Sequence, residues 1–139
     1  MITFSIPGEP VAKGRAKVTT IGGHARMYTP TKTLNYESKV ALFASQAMGA
    51  LAPLTGPVSL TVQAVFQVPA SWPKKRKAAN LQEPEYVTKR PDFDNLVKAI
   101  CDGMNGVVWV DDCQVAAMGA CSKVYGESPR VDVTVGVLS

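Results

Sequence analysis

Four carboxylates and a lysine stand close together in this chain. Asp92 and Asp94 fall within Arg90-Pro-Asp-Phe-Asp-Asn-Leu-Val-Lys98, and Asp111 and Asp112 within Trp109-Val-Asp-Asp-Cys-Gln-Val115. Carboxylates drawn together repel one another unless a cation or a shared proton offsets the charge. Mg²⁺ does this with a few carboxylates and completes its shell with water and phosphate oxygens. Lys98 follows Asp94 by four residues and precedes Asp102 by four, so on a helix the three share one stripe. From there a lysine can reach a phosphate oxygen and offset the charge that develops as a phosphodiester is cut. Asp92, Asp94, Lys98, Asp111 and Asp112 are therefore the candidate catalytic residues, and the chemistry they suggest is metal-assisted phosphodiester hydrolysis. Asp111 and Asp112, as strand neighbours, point oppositely, so one is expected to contribute more directly than the other unless the turn rotates both inward. Each piece also has a plainer use: an Asp as a helix cap, a Lys-Asp pair in solvent, an Asp-Asp turn. An EF-hand loop starting at Asp92 is excluded, because Leu96, Val97 and Gly103 stand where an oxygen ligand, a glycine and a glutamate are needed.

The charge balance points the same way. The four aspartates belong to only eleven acidic residues, against fifteen Lys and Arg and a net charge of +4; without the four the ratio is fifteen to seven. The remaining surface is strongly basic and suited to a polyanion, with nucleic acid the commonest such partner. Lys13, Arg15, Lys17, Lys74, Lys75, Arg76, Lys77, Lys89 and Arg90 are the candidates for contacts to a DNA backbone, since phosphates attract Lys and Arg without regard to sequence. The run Lys74 to Lys77 is the densest and lies beside Trp72, which either anchors its loop or stacks on a splayed base, with anchoring favoured.

The elements that must position these residues fit one domain of 139 residues. A first strand runs from Ile2 to the Pro7-Gly8 turn, and the polar stretch from Val11 to Pro30 reads as a loop or loose hairpin. Thr31 or Thr33 is expected to cap a helix running to about Gly49, with Leu34, Val40, Ala41, Ala44 and Met48 on its apolar face. Strict alternation marks a half-buried strand from Pro57 to Val68. The segment from Pro69 to Arg90 is long and polar, admits a short helix around Lys75 to Leu81, and is expected with the Val11 to Pro30 segment to contact DNA. A helix follows from Asn95 to about Asn105, with Asp94 as its N-cap and Leu96, Ile100, Cys101 and Met104 inward. Asp92 and Asp94, two apart in extended chain, would then face the same side. Val107 to Val110 reads as a buried strand, Asp111-Asp112 as a turn, Gln114 to Tyr125 as a strand, and Val131 to Val137 as a last alternating strand. The fold class is α+β (mixed α/β), a mixed sheet of about four to five strands with two or three helices. Cys101, Cys113 and Cys121 form no C-x-x-C pair and leave an odd count, which suits a reducing cytoplasm. No export signal, membrane span or small-molecule cofactor is expected.

The two acidic blocks carry a resemblance. Arg90-Pro-Asp-Phe-Asp-Asn-Leu96 with Lys98, Asp102-Gly103 and Asn105-Gly106, followed by Val110-Asp-Asp112 and Gln114-Val115, resembles the signature of the RusA family of Holliday-junction resolvases. Lys13-Gly14-Arg15, Tyr28-Thr29-Pro30 and Tyr36-Glu37 look like the loop and first helix of phage-type members, so the likeness spans nearly the whole chain. It implies a small homodimeric endonuclease of bacterial or prophage origin that uses Mg²⁺, with Mn²⁺ able to substitute, to cut four-way DNA junctions symmetrically. The metal ligands so implied are Asp92, Asp94 and Asp112, with Asp111 beside them and Lys98 as the catalytic lysine. Ala16 and Cys113 depart from the family's frequent proline and serine without touching that chemistry. Two other readings remain: a nuclease for other branched or flap DNA, and a non-catalytic basic DNA-binding protein.

Overall fold

The alternating Val58-Ser-Leu-Thr-Val62 segment becomes the middle of the molecule. The computed structural model describes residues 1–14, 17–28 and 30–139. In chain order its elements are β1 (Ile2–Pro7), β2 (Lys17–Ile21), β3 (His24–Tyr28), α1 (Thr31–Met48), β4 (Val58–Gln67), α2 (Lys74–Gln82) and α3 (Phe93–Met104). A turn of 3₁₀ helix (Asp112–Gln114), β5 (Val115–Met118), β6 (Ser122–Gly126) and β7 (Arg130–Val137) complete them. β4 pairs antiparallel with β7, which pairs antiparallel with β1; β5 and β6 both run parallel to β4 on its other side. This mixed five-stranded sheet with three helices, beside a two-stranded sheet of β2 and β3, is the α+β architecture expected.

One face of the sheet is apolar because the strands alternate. Phe4 and Ile6, Val58, Leu60, Val62 and Ala64, and Val131, Val133 and Val135 are all buried against Val40, Ala44 and Met48 of α1 and Leu96, Ile100 and Met104 of α3. Helix α3 is amphipathic for the reason read from sequence, with Lys98 and Asp94 on its outer side. Gly103 sets how closely it lies on α1: a Cβ there would stand 2.6 Å from the Val40 Cβ and 2.9 Å from the Glu37 carbonyl oxygen.

Several local expectations are corrected. Neither Thr31 nor Thr33 caps α1: Pro30 occupies the cap without a side-chain bond, and Thr33 is buried at 2% exposure with its Oγ1 accepting the Gly14 N–H. That inward place displaces Leu34, which is 50% exposed rather than in the core. Helix α3 begins at Phe93, so the N-cap is Asp92 and Asp94 lies inside the first turn. Val108 and Trp109 are fully buried, but the segment is a turn tied by isolated bridges to Leu54 and Asn105 rather than a strand. A short apolar run is ambiguous by pattern alone, and here Gly106, at φ +79°, bends it. The strand expected over 114–125 is divided: β5 and β6 lie end to end along β4, with Gly119 to Cys121 between them. In the gap the Cys121 Sγ accepts the Val62 N–H at 3.3 Å, so the interruption leaves that donor satisfied. The hairpin expectation for 11–30 is met by β2 and β3 around Gly22-Gly23, and the short helix near Lys75 is α2.

Replacing Gly103 with Ala is expected to destabilise the fold by about 1–3 kcal/mol through overpacking against Val40 and the Glu37 carbonyl. Urea denaturation of the variant beside the parent measures it.

Candidate active site

The outer side of α3 faces the chain that leaves it, and the connection between the two is rigid. After Met104 the Trp109 indole is fully buried and its Nε1–H donates to the Asn105 Oδ1 at 2.6 Å. Val110 and Asp111 then give their backbone N–H groups to the Gln114 Oε1 at 2.9 and 3.0 Å, while Gln114 Nε2 donates to the Leu54 and Gly56 carbonyls, both at 2.9 Å. The Asp111 carboxylate accepts the Cys113 N–H at 3.1 Å and, with the Gln114 N–H and side chain, forms a reciprocal capping box around the 3₁₀ turn. The turn therefore holds Asp112 in a fixed place beside α3.

There Lys98 meets it. The Lys98 Nζ stands 3.3 Å from the Asp112 Oδ2 and 3.0 Å from the Asp102 Oδ1 one helical turn away. Asp102 is bonded on its other oxygen by the Lys13 Nζ at 3.0 Å, and Lys13 in turn reaches Glu37 of α1 at 2.9 Å. Glu37, Lys13, Asp102, Lys98 and Asp112 thus form a chain of alternating charge. Bonding to Asp102 raises the Lys98 pKa, with Asp112 adding to it. Partial burial, the largest single influence, would raise the Asp102 carboxyl, but the bonds from Lys13 and Lys98 together outweigh it and hold the group below its usual range. Hydrogen bonds from Cys113 lower Asp111 as well. Burial pushes the neighbouring Cys101 thiol up to about 12, which keeps it neutral.

Asp92 and Asp94 sit at the other end of α3, both exposed. The Asp92 carbonyl accepts the Leu96 N–H at 3.2 Å, but its carboxylate makes no capping bond, so an anion stands at the positive helix end without being spent there. Asp94 accepts only the adjacent Asn95 N–H, at 3.0 Å, among the side-chain bonds described. Asp92 lines a recess of about 370 Å³ with Arg90, Pro91 and Asn95, and Asp94 one of about 520 Å³ with Phe93, Val97, Met118, Gly119 and Cys121. The strand β6 fixes the approach to this end: the Lys123 Nζ donates to the Lys89 and Pro91 carbonyls, each at 2.8 Å. The carboxylate oxygens of Asp92, Asp94 and Asp112 are the hard donors that Mg²⁺ favours. Among the described residues no three or more His, Cys, Asp or Glu side chains are gathered as a metal-holding group.

The geometry thus unites Lys98 with Asp112 and leaves Asp92 and Asp94 open at the helix start, with Asp111 engaged in its cap. Of the candidate DNA contacts, Lys74, Lys75, Lys89 and Arg90 are exposed. Lys13 is held in the ion-pair chain, and the Lys77 Nζ donates to the Ala70 carbonyl at 3.2 Å. Arg76 stacks 3.7 Å over the Trp72 ring and makes a two-pronged bond to Glu85, while Trp72 packs edge-on against Tyr125. Trp72 therefore anchors its loop. Arg15 lies outside the described residues, and of Lys17 only the backbone is described. Glu37, Asp102, Gln114 and Lys123 were not singled out as site residues from sequence. Asp111-x-x-Gln114 carried a readable signal, the capping-box spacing.

A family model for the endodeoxyribonuclease RusA matches residues 7–136. The chain belongs to the RusA family. It is also 36% identical to the uncharacterized protein YqaN of Bacillus subtilis (strain 168), over 99% of this chain and 97% of that one. Membership in the RusA family makes this a nuclease-family protein acting on DNA, and implies a divalent metal. Among the described residues no helix is long and apolar enough to cross a membrane.

The depressed Asp102 carboxyl sets a direction for acid sensitivity. A group whose folded-state pKa lies below its unfolded value of about 3.9 contributes stability above that pH and loses it as pH falls through the folded value. Melting temperature is expected to drop below about pH 4. Asp102→Asn is expected to start lower at neutral pH and to lose less on acidification; thermal melts of both proteins across pH 2 to 7 check this.

Proposed function

We propose that this protein is a Mg²⁺-dependent endonuclease that resolves four-way DNA junctions by paired, symmetric nicks. The observation that carries the reading is the Lys98 ammonium at 3.3 Å from Asp112, on a helix whose start leaves the Asp92 carboxylate uncapped, in a chain of the RusA family. Asp92, Asp94 and Asp112 would hold the metal, with Asp111 keeping the turn that carries Asp112. The bound ion would supply Lewis-acid activation of a water and partial neutralisation of the phosphate. Lys98 would donate to a phosphate oxygen as negative charge accumulates, a role in which one donor typically contributes about a hundred- to a thousandfold in rate. Mn²⁺ fits the same hard donors.

A four-way junction has approximate two-fold symmetry, so two matched cuts follow most simply from an isologous homodimer that presents two sites. The exposed Lys74, Lys75, Lys89 and Arg90 would track the DNA backbone, placing the segment 69–90 against the substrate; the segment 11–30 is assigned the same role. The activity belongs to recombination and repair in a bacterial or phage-infected cytoplasm.

Cleavage of a labelled synthetic junction in Mg²⁺ or EDTA, beside a linear duplex of the same sequence, tests the reading. Paired nicks in the junction only with metal, abolished by Asp92→Asn and reduced about a hundredfold or more by Lys98→Met with binding retained, are expected. Equal cutting of both substrates indicates a general nuclease, preferential cutting of flaps a different branched substrate, and junction binding without cutting a DNA-binding module. Lys74→Ala and Lys75→Ala should each weaken binding whatever the sequence and lower the slope of log affinity on log salt by about one.

A further inference from the structure

Lys98 has a long stem and a side chain about half exposed, and an unheld lysine of that kind samples many rotamers. Two carboxylates restrain it here. Asp112 is the longer contact, at 3.3 Å, and is assigned above to the cation. Asp102 is shorter, at 3.0 Å, and its side chain is only 17% exposed. Asp102 is itself fixed from the opposite direction by Lys13, which bonds Glu37 with the same ammonium and donates its backbone N–H to the Asn95 carbonyl at 2.9 Å. The brace therefore joins the N-terminal segment, α1 and α3 before it reaches Lys98.

Helix stability does not account for an aspartate at this place. Position 102 lies in the last turn of α3, where a carboxylate opposes the negative end of the helix dipole. A lysine followed four residues later by an acid is also the weaker of the two orders of such a pair. The residue is placed where it costs the helix something and where it can hold the ammonium of Lys98.

We propose that Asp102, braced by Lys13 and Glu37, is the positioning residue for Lys98, keeping its ammonium beside Asp112 before a scissile phosphate arrives. The inference rests on the nuclease reading above, in which Lys98 acts on that phosphate. Asp102 does not touch substrate; its effect passes through Lys98, so removing it misplaces a donor without removing the donor.

Single-turnover cleavage of the four-way junction in Mg²⁺ by the parent, Asp102→Asn, Asp102→Glu, Lys98→Met and the double variant Asp102→Asn/Lys98→Met tests this, with thermal melts to confirm folding. Asp102→Asn is expected to slow cutting about ten- to a hundredfold, with junction affinity in EDTA unchanged within about twofold, and Asp102→Glu to recover most of the loss. In the Lys98→Met background, Asp102→Asn should add nothing, because the two act as one unit. Independently of activity, the Lys98 ammonium should give a ¹⁵N–¹H signal protected from water exchange in the free parent and lost in Asp102→Asn. A parental cutting rate in Asp102→Asn, an equal loss in both backgrounds, or a Lys98 signal that survives Asp102→Asn would overturn the assignment. A parent that does not cut junctions removes the nuclease reading and this inference with it, an outcome distinct from a cutting parent with an unaffected variant.

Discussion

Where α3 crosses α1, Gly103 brings the α3 backbone close to Val40 and the Glu37 carbonyl, and the distance between Glu37 and Asp102 is set by that contact. A larger residue would separate the helices and stretch the ion pairs that Lys13 makes across them. Interiors are close-packed, so such a shift is not absorbed locally. The same helix presents Leu96, Ile100 and Met104 to the sheet and Lys98 to the site, and hydrophobic burial thereby fixes the angle at which the lysine leaves the protein. Packing and chemistry are two faces of one element.

The return chain answers α3 with polar bonds rather than apolar ones. Trp109 is buried with its indole N–H satisfied by Asn105, and Gln114 serves four partners, accepting from two N–H groups and donating to two carbonyls. Asp112 is consequently carried by a short turn whose backbone groups are already paired, and it needs no regular strand to keep its place. Asp111, next to it, has its carboxylate engaged in that pairing, so two adjacent aspartates of identical chemistry have different partners, the Cys113 N–H for one and Lys98 for the other.

Much of this was legible in the residues. Alternation placed β4 and β7 because one face of each is buried, and the apolar positions of α3 followed a helical period. Lys98 and Asp112 were singled out from composition and spacing. What was not legible was long-range or local in a way that pattern does not carry. The Lys13 bond to Asp102 joins distant parts of the chain, and a lysine in a basic loop reads as a surface cation until its partner is seen. Two aspartates two residues apart each qualify as a cap, and only the backbone at Asp92 decides between them. Val107 to Val110 was read as buried, correctly for Val108 and Trp109, but hydrophobicity in four residues does not distinguish a strand from a packed turn.

The gap between β5 and β6 has a consequence for how the molecule behaves in a crowded solution. A continuous strand along β4 would offer a long row of unpaired backbone donors and acceptors on its outer side, a template to which another chain could add. Instead that edge is split into strands of four and five residues separated by Gly119 to Cys121, and β6 is itself covered by the segment 85–87, the Val87 N–H donating to the Lys123 carbonyl and the Tyr125 N–H to the Glu85 carbonyl. A short β5 and a covered β6 recruit a foreign strand poorly, which guards the side of the sheet that adjoins Asp94 against edge-to-edge pairing.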